Sequence, residues 1–383
     1  MMKLLVLLLL ALPALFTNPV LSLDPSLGGR VPNITANNST YEARATPVEI
    51  DNELSPPSLF KFEQTNLEWQ TFNGSIPNGA ILIHNDYAKR VDYVCQFWCL
   101  AGFYNPDMGP YCHYSDRGNT YVNLFWPFKI LVNKDNFEIM EWKDGSYGSV
   151  PQNSVYTCIP KNIYVGKNEY GLGKVDVKDK VFYLPWGDSE YWYNTYQVLT
   201  FDTDIDSEHI YDVKYETAGV QIVQYPPEAM DKSTITNHES EPVTGTATLS
   251  KTIQVEHKWD TSFSITVGVK TSVTAGIPII GSVDIEFSVE TTVELTWETT
   301  YIESITHTVS VQYNVPANHS CTINMVGYKY GADIPYTARL SRTYSDGQTT
   351  GTSISGNYSS IQVGEVQIVA DPCVPVPEPT PSP

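Results

Sequence analysis

The sequence has no long apolar run outside its first residues. Leu4–Leu12 is an unbroken apolar stretch after Lys3, and the chain turns polar by Thr17, which is typical of a secretory signal peptide rather than a membrane-spanning helix. We therefore predict a signal peptide over residues 1–22 and a secreted, extracellular protein. No later segment reaches the ~20 apolar residues that a transmembrane helix requires, so a membrane role would need a rearrangement of the released chain.

Basic residues are also scarce. The chain has 23 Lys and Arg against 43 Asp and Glu, which gives a formal net charge of −20. Such a chain lacks the basic face that nucleic acids require, and simple electrostatic docking on anionic lipid is equally disfavoured. A target membrane would have to be recognised through a glycan or through apolar insertion.

Motifs for catalysis and metal binding are almost absent. Gly187-Asp188-Ser189 comes nearest to a serine-nucleophile turn, but it lacks the glycine that should follow the serine. None of the histidines stands in a His-Glu-x-x-His pattern; they are His84, His113, His209, His238, His257, His307 and His319. We predict no metal and no cofactor.

Six cysteines in an exported chain favour disulfides over zinc or a catalytic thiol. Cys321 and Cys373 stand apart from the others and are expected to pair. The pairing among the remaining four is left open by the sequence; they are Cys95, Cys99, Cys112 and Cys158.

The composition divides the mature chain into four parts. Residues 23–60 have few large apolar groups and are predicted to be a flexible leader or propeptide, and residues 374–383 form a proline-rich tail. Residues 61–201 contain a repeat, because Leu67-Glu68-Trp69 returns as Met140-Glu141-Trp142 and Phe128–Val132 is echoed by Tyr196–Thr200. Residues 202–373 change to long Thr, Ser, Val and Ile stretches of alternating polarity. The prediction is an all-β chain, with a pseudo-symmetric two-repeat domain followed by an elongated antiparallel module with long strands.

Residues 259–298 alternate strictly enough to predict a hairpin with one apolar face. Glycines bound an apolar tip, and if the turn centres near Ile279, Val269 faces Val289 and Phe263 faces Leu295. The apolar positions are Trp259, Phe263, Ile265, Val267, Val269, Val273, Ile277, Ile279, Ile280, Val283, Ile285, Phe287, Val289, Val293, Leu295 and Trp297.

Such a hairpin suits a membrane pore, in which each strand faces lipid on one side and water on the other. One hairpin cannot close a pore, so several copies of the chain would each contribute one. The lumen would favour cations, since its charged positions are Lys270, Asp284, Glu286, Glu290, Glu294 and Glu298. The alternative is two strands of an ordinary sheet with one face on a core. The apolar tip favours the membrane hairpin, because a solvent-facing turn should be polar.

Several stretches resemble the natterins of toadfish venom and their fish relatives. They are Ile130–Glu138, Tyr164–Lys167, Tyr170–Lys174, Thr274–Pro278, and Ala332–Thr337 with Arg339–Arg342. The resemblance covers about residues 60–373. It implies a lectin-like front half that binds mannose-type glycans, and an aerolysin-like back half that forms pores as a homo-oligomer in a target membrane. It also implies toxicity with pain and oedema, and the alternative activity of a protease that releases kinins from kininogen.

Candidate glycan-binding residues lie in the front half. Sugars stack on aromatic rings beside a few polar groups, and we name Asp144, Lys167, Tyr170 and Lys174, of which the two lysines lie in the turn that matches the natterins. The aromatic residues of this half are equally well explained as core residues. Acceptor tripeptides for N-glycosylation begin at Asn33, Asn37, Asn38, Asn73, Asn318 and Asn357.

Overall fold

The structure, a computed structural model, describes residues 62, 65–124, 126–158, 162–263, 265–296 and 299–377, and the backbone of residues 29–30. The first strands in chain order are β1 Gly29–Arg30, β2 Leu67–Thr71, β3 Leu82–Asn85, β4 Arg90–Phe97, β5 Leu100–Tyr104, β6 Cys112–Asp116, β7 Asn119–Val122, β8 Lys129–Asn133, β9 Met140–Ser146, β10 Tyr156–Cys158, β11 Ile163–Asn168, β12 Gly171–Asp176, β13 Val181–Trp186, β14 Ser189–Tyr193 and β15 Thr195–Phe201.

The remaining strands are β16 Ile205–Tyr215, β17 Val223–Gln224, β18 Glu228–Asn237, β19 Val243–Thr261, β20 Lys270–Ala275, β21 Pro278–Ile280, β22 Ile285–Phe287, β23 Thr291–Glu294, β24 Thr300–Val315, β25 His319–Tyr344, β26 Thr349–Ala370 and β27 Val374–Pro375. Two short 3₁₀ helices, Pro106–Met108 and Lys134–Asn136, lie between the strands. None of the helices described is long and apolar enough to cross a membrane. The all-β prediction is confirmed.

The chain divides into two compact units that interleave along the sequence. Unit 1 contains Ile83–Phe128 and Trp142–Leu199, and unit 2 contains Lys129–Glu141, the described part of Pro47–Leu82 and the described part of Thr200–Pro383. The boundary at residues 201 and 202 stays a prediction.

Unit 1 is an antiparallel sheet in the order β4-β5-β6-β7-β14-β13-β12-β11-β15-β9. Its core includes Val175, Phe182 and Val198, which point to one side of β12, β13 and β15.

The repeat is visible in the strand pairing, because β2 pairs with β8 in the first copy and β9 neighbours β15 in the second. The same sequence pattern therefore forms the same strand pair twice.

Unit 2 contains the long strands that the alternating composition predicts. Its sheet has the order β23-β20-β16-β25-β26-β19-β24, and β25 and β26 have 26 and 22 residues. The strands alternate buried and exposed positions, as half-exposed β-structure requires. Across β19 and β24, outward-facing hydroxyls pair side by side, as in Thr248 with Ser310 at 2.9 Å. Trp259, Ile334 and Leu340 lie in the apolar core beneath.

Candidate functional site

The predicted hairpin is present in the folded chain, but in a different register. β20 pairs with β23 and β21 pairs with β22, so that Val273 lies opposite Val293 and Ile280 opposite Ile285. The turn is Gly281–Asp284, where the Gly281 N–H donates to the Asp284 carbonyl at 3.0 Å. The expected turn near Ile279 is therefore wrong, because a Gly-Ser-Val-Asp segment suits a turn better than Ile-Pro-Ile-Ile.

The pairings expected for Val269 with Val289 and for Phe263 with Leu295 are wrong for the same reason. Val269 lies in a turn where its N–H donates to the Thr266 carbonyl at 3.3 Å. The strands of the hairpin are consequently shorter than the alternating pattern suggests, and they cover only β20 to β23.

The apolar face of the hairpin is divided between the core and the solvent. Trp259, Phe263, Val273, Ala275 and Ile280 are buried in the core of unit 2. Ile265, Ile285, Val293 and Leu295 pack partly buried against the same core, and Val269 and Ile277 are half-buried. Val267, Ile279, Val283, Phe287 and Val289 are exposed, and Trp297 lies outside the described residues. In this form the hairpin is arranged as an ordinary sheet element, and apolar residues are left uncovered both near its turn, as at Ile279 and Val283, and at the start of its first arm, as at Val267.

The acidic face of the hairpin points into water. Asp284, Glu286, Glu290 and Glu294 are exposed, and Glu298 lies outside the described residues. Lys270 is also exposed, and its Nζ is 2.8 Å from Glu294 Oε1 on the opposite arm. The described charged side chains that are predicted to line a lumen are therefore not packed against the core.

One arm of the hairpin is held against β16 by a parallel pairing, in which His209 lies beside Ser272. The imidazole contacts two hydroxyls of that arm, with Nδ1 2.8 Å from Ser272 Oγ and Nε2 3.2 Å from Thr274 Oγ1. Burial lowers the pKa of His209, which favours the neutral ring. Polar contacts rather than interlocked apolar side chains hold the exposed side of this arm.

The tip is held by the side-chain amide of Gln362 on β26. Its Oε1 accepts from the Ile280 N–H at 3.3 Å, and its Nε2 donates to the Pro278 carbonyl at 2.8 Å. Two residues further along, Gly364 allows the tip to approach, because a Cβ there would lie 2.8 Å from the Ile280 carbonyl oxygen. The side-chain amide of Gln362 thus makes hydrogen bonds from β26 to the β21 backbone of the kind that a paired strand would make.

The root of the hairpin is tied to a buried ion triad. Arg342 on β25 lies 2.9 Å from Glu138 Oε2 and 3.0 Å from Glu208 Oε1, and all three side chains are 1% exposed or less. Glu208 also accepts from the backbone N–H and the hydroxyl of Thr266, each at 2.9 Å. Burial raises the pKa of Glu138. Glu208, which alternates with aspartates in the sequence, is therefore a buried core residue.

Two of the predicted glycan residues lie together in unit 1. The Lys167 Nζ is 4.6 Å from the centroid of the Trp142 ring, and burial lowers the pKa of this lysine. Asp144 Oδ1 accepts from Gln197 Nε2 at 3.1 Å, and Gln197 pairs with Lys167 across β15 and β11. An ammonium, a carboxylate, an amide and an indole therefore lie on neighbouring strands. Gln197 was missed, since glutamine carries no distinctive sequence signal.

Lys174 and Tyr170 do not join this cluster. Lys174 is 4% exposed, and its Nζ lies 3.2 Å from Glu190 Oε1 and donates to the Ser115 carbonyl at 2.6 Å. Tyr170 packs against the rings of Tyr87 and Tyr193. The interpretation of Lys174 as a sugar ligand is corrected, because its charge is already neutralised in the interior.

The cysteines form three disulfides, and no described cysteine is free. Cys321 pairs with Cys373 as expected, and the open pairing resolves into Cys95 with Cys112 and Cys99 with Cys158. Asn73, Asn318 and Asn357 are exposed, whereas Asn33, Asn37 and Asn38 lie outside the described residues. Ser189 begins β14, where its backbone pairs with Trp186 and Asn119.

Relatives of known sequence decide the family. Natterin-3 of Thalassophryne nattereri is 41% identical over 336 residues, which cover 87% of this chain and 90% of that protein. The chain belongs to the natterin family. Natterin-2 of the same species is 41% identical over 316 residues, 81% of this chain and 83% of the relative. No family model matches the sequence.

Solved structures resemble this natterin more distantly. A lamprey immune protein is 17% identical with a TM-score of 0.42, covering 80% of this chain and 98% of its own. A β-pore-forming protein from Brevibacillus laterosporus is 13% identical with a TM-score of 0.28, covering 46% and 82%. An aerolysin-like protein from Bombina maxima is 14% identical with a TM-score of 0.21, covering 43% and 99%.

Proposed function

We propose that this natterin is a secreted pore-forming protein that binds a cell-surface glycan, oligomerises on the target membrane and inserts the hairpin of residues 259–298. In the proposed pore, each copy of the chain contributes one hairpin, the apolar face contacts lipid and the acidic face lines the lumen. A lumen with this excess of carboxylates selects cations.

The observation that carries the proposal is the way in which the hairpin is held. Its acidic face is exposed, and the amide of Gln362 and the imidazole of His209 add polar contacts to the apolar residues that the hairpin buries in the core of unit 2. Each such hydrogen bond contributes only about 0.5–1.5 kcal/mol net, because water replaces it when it breaks. The apolar residues already exposed near the turn, Ile279 and Val283, offer a first contact for a bilayer.

Replacing Ile279 by Asp tests the membrane role of the tip. We expect dye release from liposomes to fall to background, because a carboxylate at this position must enter hydrocarbon. The folded chain should retain its stability, since Ile279 is 48% exposed. The measurement is release of an entrapped dye, with chemical denaturation of the same samples.

The matched control is Ile361→Asp, because Ile361 is an isoleucine on β26 with 49% exposure outside the hairpin. It should release dye as the wild-type protein does. Equal release by wild type and Ile279→Asp would refute insertion of this tip, and absence of release by wild type from glycan-bearing liposomes would refute the pore.

The glycan part of the proposal rests on Asp144 and Lys167. We expect Lys167→Ala to lower binding to immobilised mannan by about tenfold or more, because the ammonium and the Trp142 ring would no longer present a joint surface. Lys178→Ala is the control, since Lys178 is an exposed lysine of the same unit. Surface plasmon resonance measures both variants, and an unchanged affinity of Lys167→Ala would remove this site from the proposal.

A further inference from the structure

The turn between β4 and β5 holds a tryptophan in an unusual conformation. Trp98 is the first residue of this two-residue turn, has a φ of 53° and is 71% exposed. A bulky side chain in the left-handed region is unfavourable, and Gly or Asn is the usual residue there. Such strain persists where the surroundings enforce it, and it is concentrated at functional positions.

Buried groups of unit 1 enforce the conformation of this turn. The Gln96 amide donates to the Trp98 carbonyl, and to the Thr157 carbonyl at 3.0 Å. The Thr157 hydroxyl in turn donates to the Cys99 carbonyl at 2.5 Å. The disulfide from Cys99 to Cys158 anchors the same turn to β10. The indole is therefore presented to solvent on a rigid support, which lowers the entropy cost of binding a ligand.

Three further rings continue from Trp98 across one face of the sheet. The ring centroids of Trp98 and Phe97 are 6.3 Å apart, those of Phe97 and Tyr114 5.0 Å, and those of Tyr114 and Tyr121 6.0 Å. We call these four residues the aromatic row. Gly102 lies on the intervening strand β5, opposite Tyr114, and it allows β5 and β6 to approach closely, because a Cβ there would lie 2.0 Å from the His113 carbonyl oxygen.

Polar groups surround the exposed end of the aromatic row. Extending the β5–β6 register by two residues places Asp116 beside Leu100, which pairs with Phe97. The side chains of Asp116 and Arg117 are 42% and 90% exposed, and Asn119 pairs with Asp116 across the next turn. Insertion of Trp98 into a bilayer would draw these charges toward hydrocarbon, which is costly. A sugar suits the same end better, since its ring face stacks on an indole and its hydroxyls bond carboxylate, guanidinium and amide groups.

We propose that Trp98 and the aromatic row form a second carbohydrate-binding surface of unit 1, which stacks a sugar ring of a neutral glycan on the indole. Asp116 and Asn119 supply the hydrogen-bonding groups. The surface shares no residue with the cluster of Asp144 and Lys167, so that one unit would offer two glycan contacts. Two glycan contacts on one rigid unit raise the avidity for a dense glycan surface, even when the affinity of each single contact is unchanged.

The test uses the full-length secreted protein on an array of neutral mannose-, galactose- and glucose-based oligosaccharides. We expect Trp98→Ala to lower binding of at least one class by about tenfold, and Trp98→Phe to retain most of it because a ring remains. Trp126→Ala is the matched control, since Trp126 is also a tryptophan of unit 1, is 64% exposed and lies outside the aromatic row. Near-native thermal unfolding of each variant shows that the fold is kept.

Two comparisons separate this surface from the other possibilities. Lys167→Ala should retain the part of the array binding that is lost in Trp98→Ala. The array measures glycan binding alone, so this outcome does not depend on whether the protein forms pores. Equal binding by Trp98→Ala and Trp126→Ala would overturn the proposal. A loss by Trp98→Ala on sugar-free phosphatidylcholine vesicles, with unchanged binding to the array, would overturn it in favour of a lipid contact.

Discussion

A disulfide between the hairpin and β16 should abolish dye release. The double variant His209→Cys, Ser272→Cys replaces two side chains that already touch, on adjacent strands whose Cα atoms lie about 4.8 Å apart. That separation lies within the range for an unstrained disulfide, so the oxidised protein should keep its fold. Because the arm must leave β16 to insert, release from liposomes should fall to background when the bridge is closed.

Reduction should restore release under conditions in which wild-type protein keeps its activity. The control is Thr274→Cys, Thr292→Cys, which joins the two arms of the hairpin through positions whose hydroxyls are 2.7 Å apart. Both partners then move together, and release should persist when this bridge is closed. Full release by the oxidised His209–Ser272 variant would show that this arm does not leave β16, and the proposed insertion would be wrong.

Arg342→Met should be the most destabilising single substitution in the ion triad. It leaves two carboxylates buried without their cation, and breaking a buried pair in this way costs about 3–5 kcal/mol of unfolding free energy at neutral pH. Chemical denaturation followed by tryptophan fluorescence measures the loss. Arg339→Met is the control on the same strand, because Arg339 is exposed and its guanidinium donates to the Ser353 hydroxyl at 3.2 Å. A small effect of Arg342→Met would contradict the buried triad.

The cost of Arg342→Met should depend on pH in a defined direction. Burial raises the pKa of Glu138 even beside the arginine, and removal of the cation raises the folded-state pKa further. Between the two pKa values, Glu138 in the folded variant then binds more protons than Glu138 in the unfolded chain. Its contribution to stability is fully present below the unfolded-state pKa of roughly 4.3 and is lost as the pH rises through the folded-state pKa. The gap between variant and wild type should therefore be smaller at about pH 5 than at about pH 8.

The sequence predicted those features that depend on local pattern. Alternating polarity indicated the long strands of unit 2, and the repeated Leu-Glu-Trp and Met-Glu-Trp segments became β2 and β9. The isolated position of Cys321 and Cys373 was enough to pair them. The strand predictions succeed because the alternation of polar and apolar residues is a local property of the sequence.

Features that depend on distant partners escaped the sequence. The position of the hairpin turn is decided partly by Gln362 and Gly364, which accommodate the tip from another strand. Glu208 alternates with aspartates in the sequence, and nothing near it in the chain reveals its partner Arg342. Lys174 could be taken for a sugar ligand because its partner Glu190 lies on a different strand. For Glu208 and Lys174 the deciding contact is non-local, and one sequence carries no signal for it.

The buried ion triad can form only late in the synthesis of the chain. Glu138 and Arg342 are separated by 204 residues, and the hairpin lies between them in the chain. The hairpin is therefore translated before β25 and β26, the strands that supply Arg342 and Gln362, are complete. At ~5–20 residues per second, its apolar residues wait on the order of several seconds for their cover. During this interval the apolar residues of the hairpin are exposed, and such surface makes a nascent chain prone to aggregation.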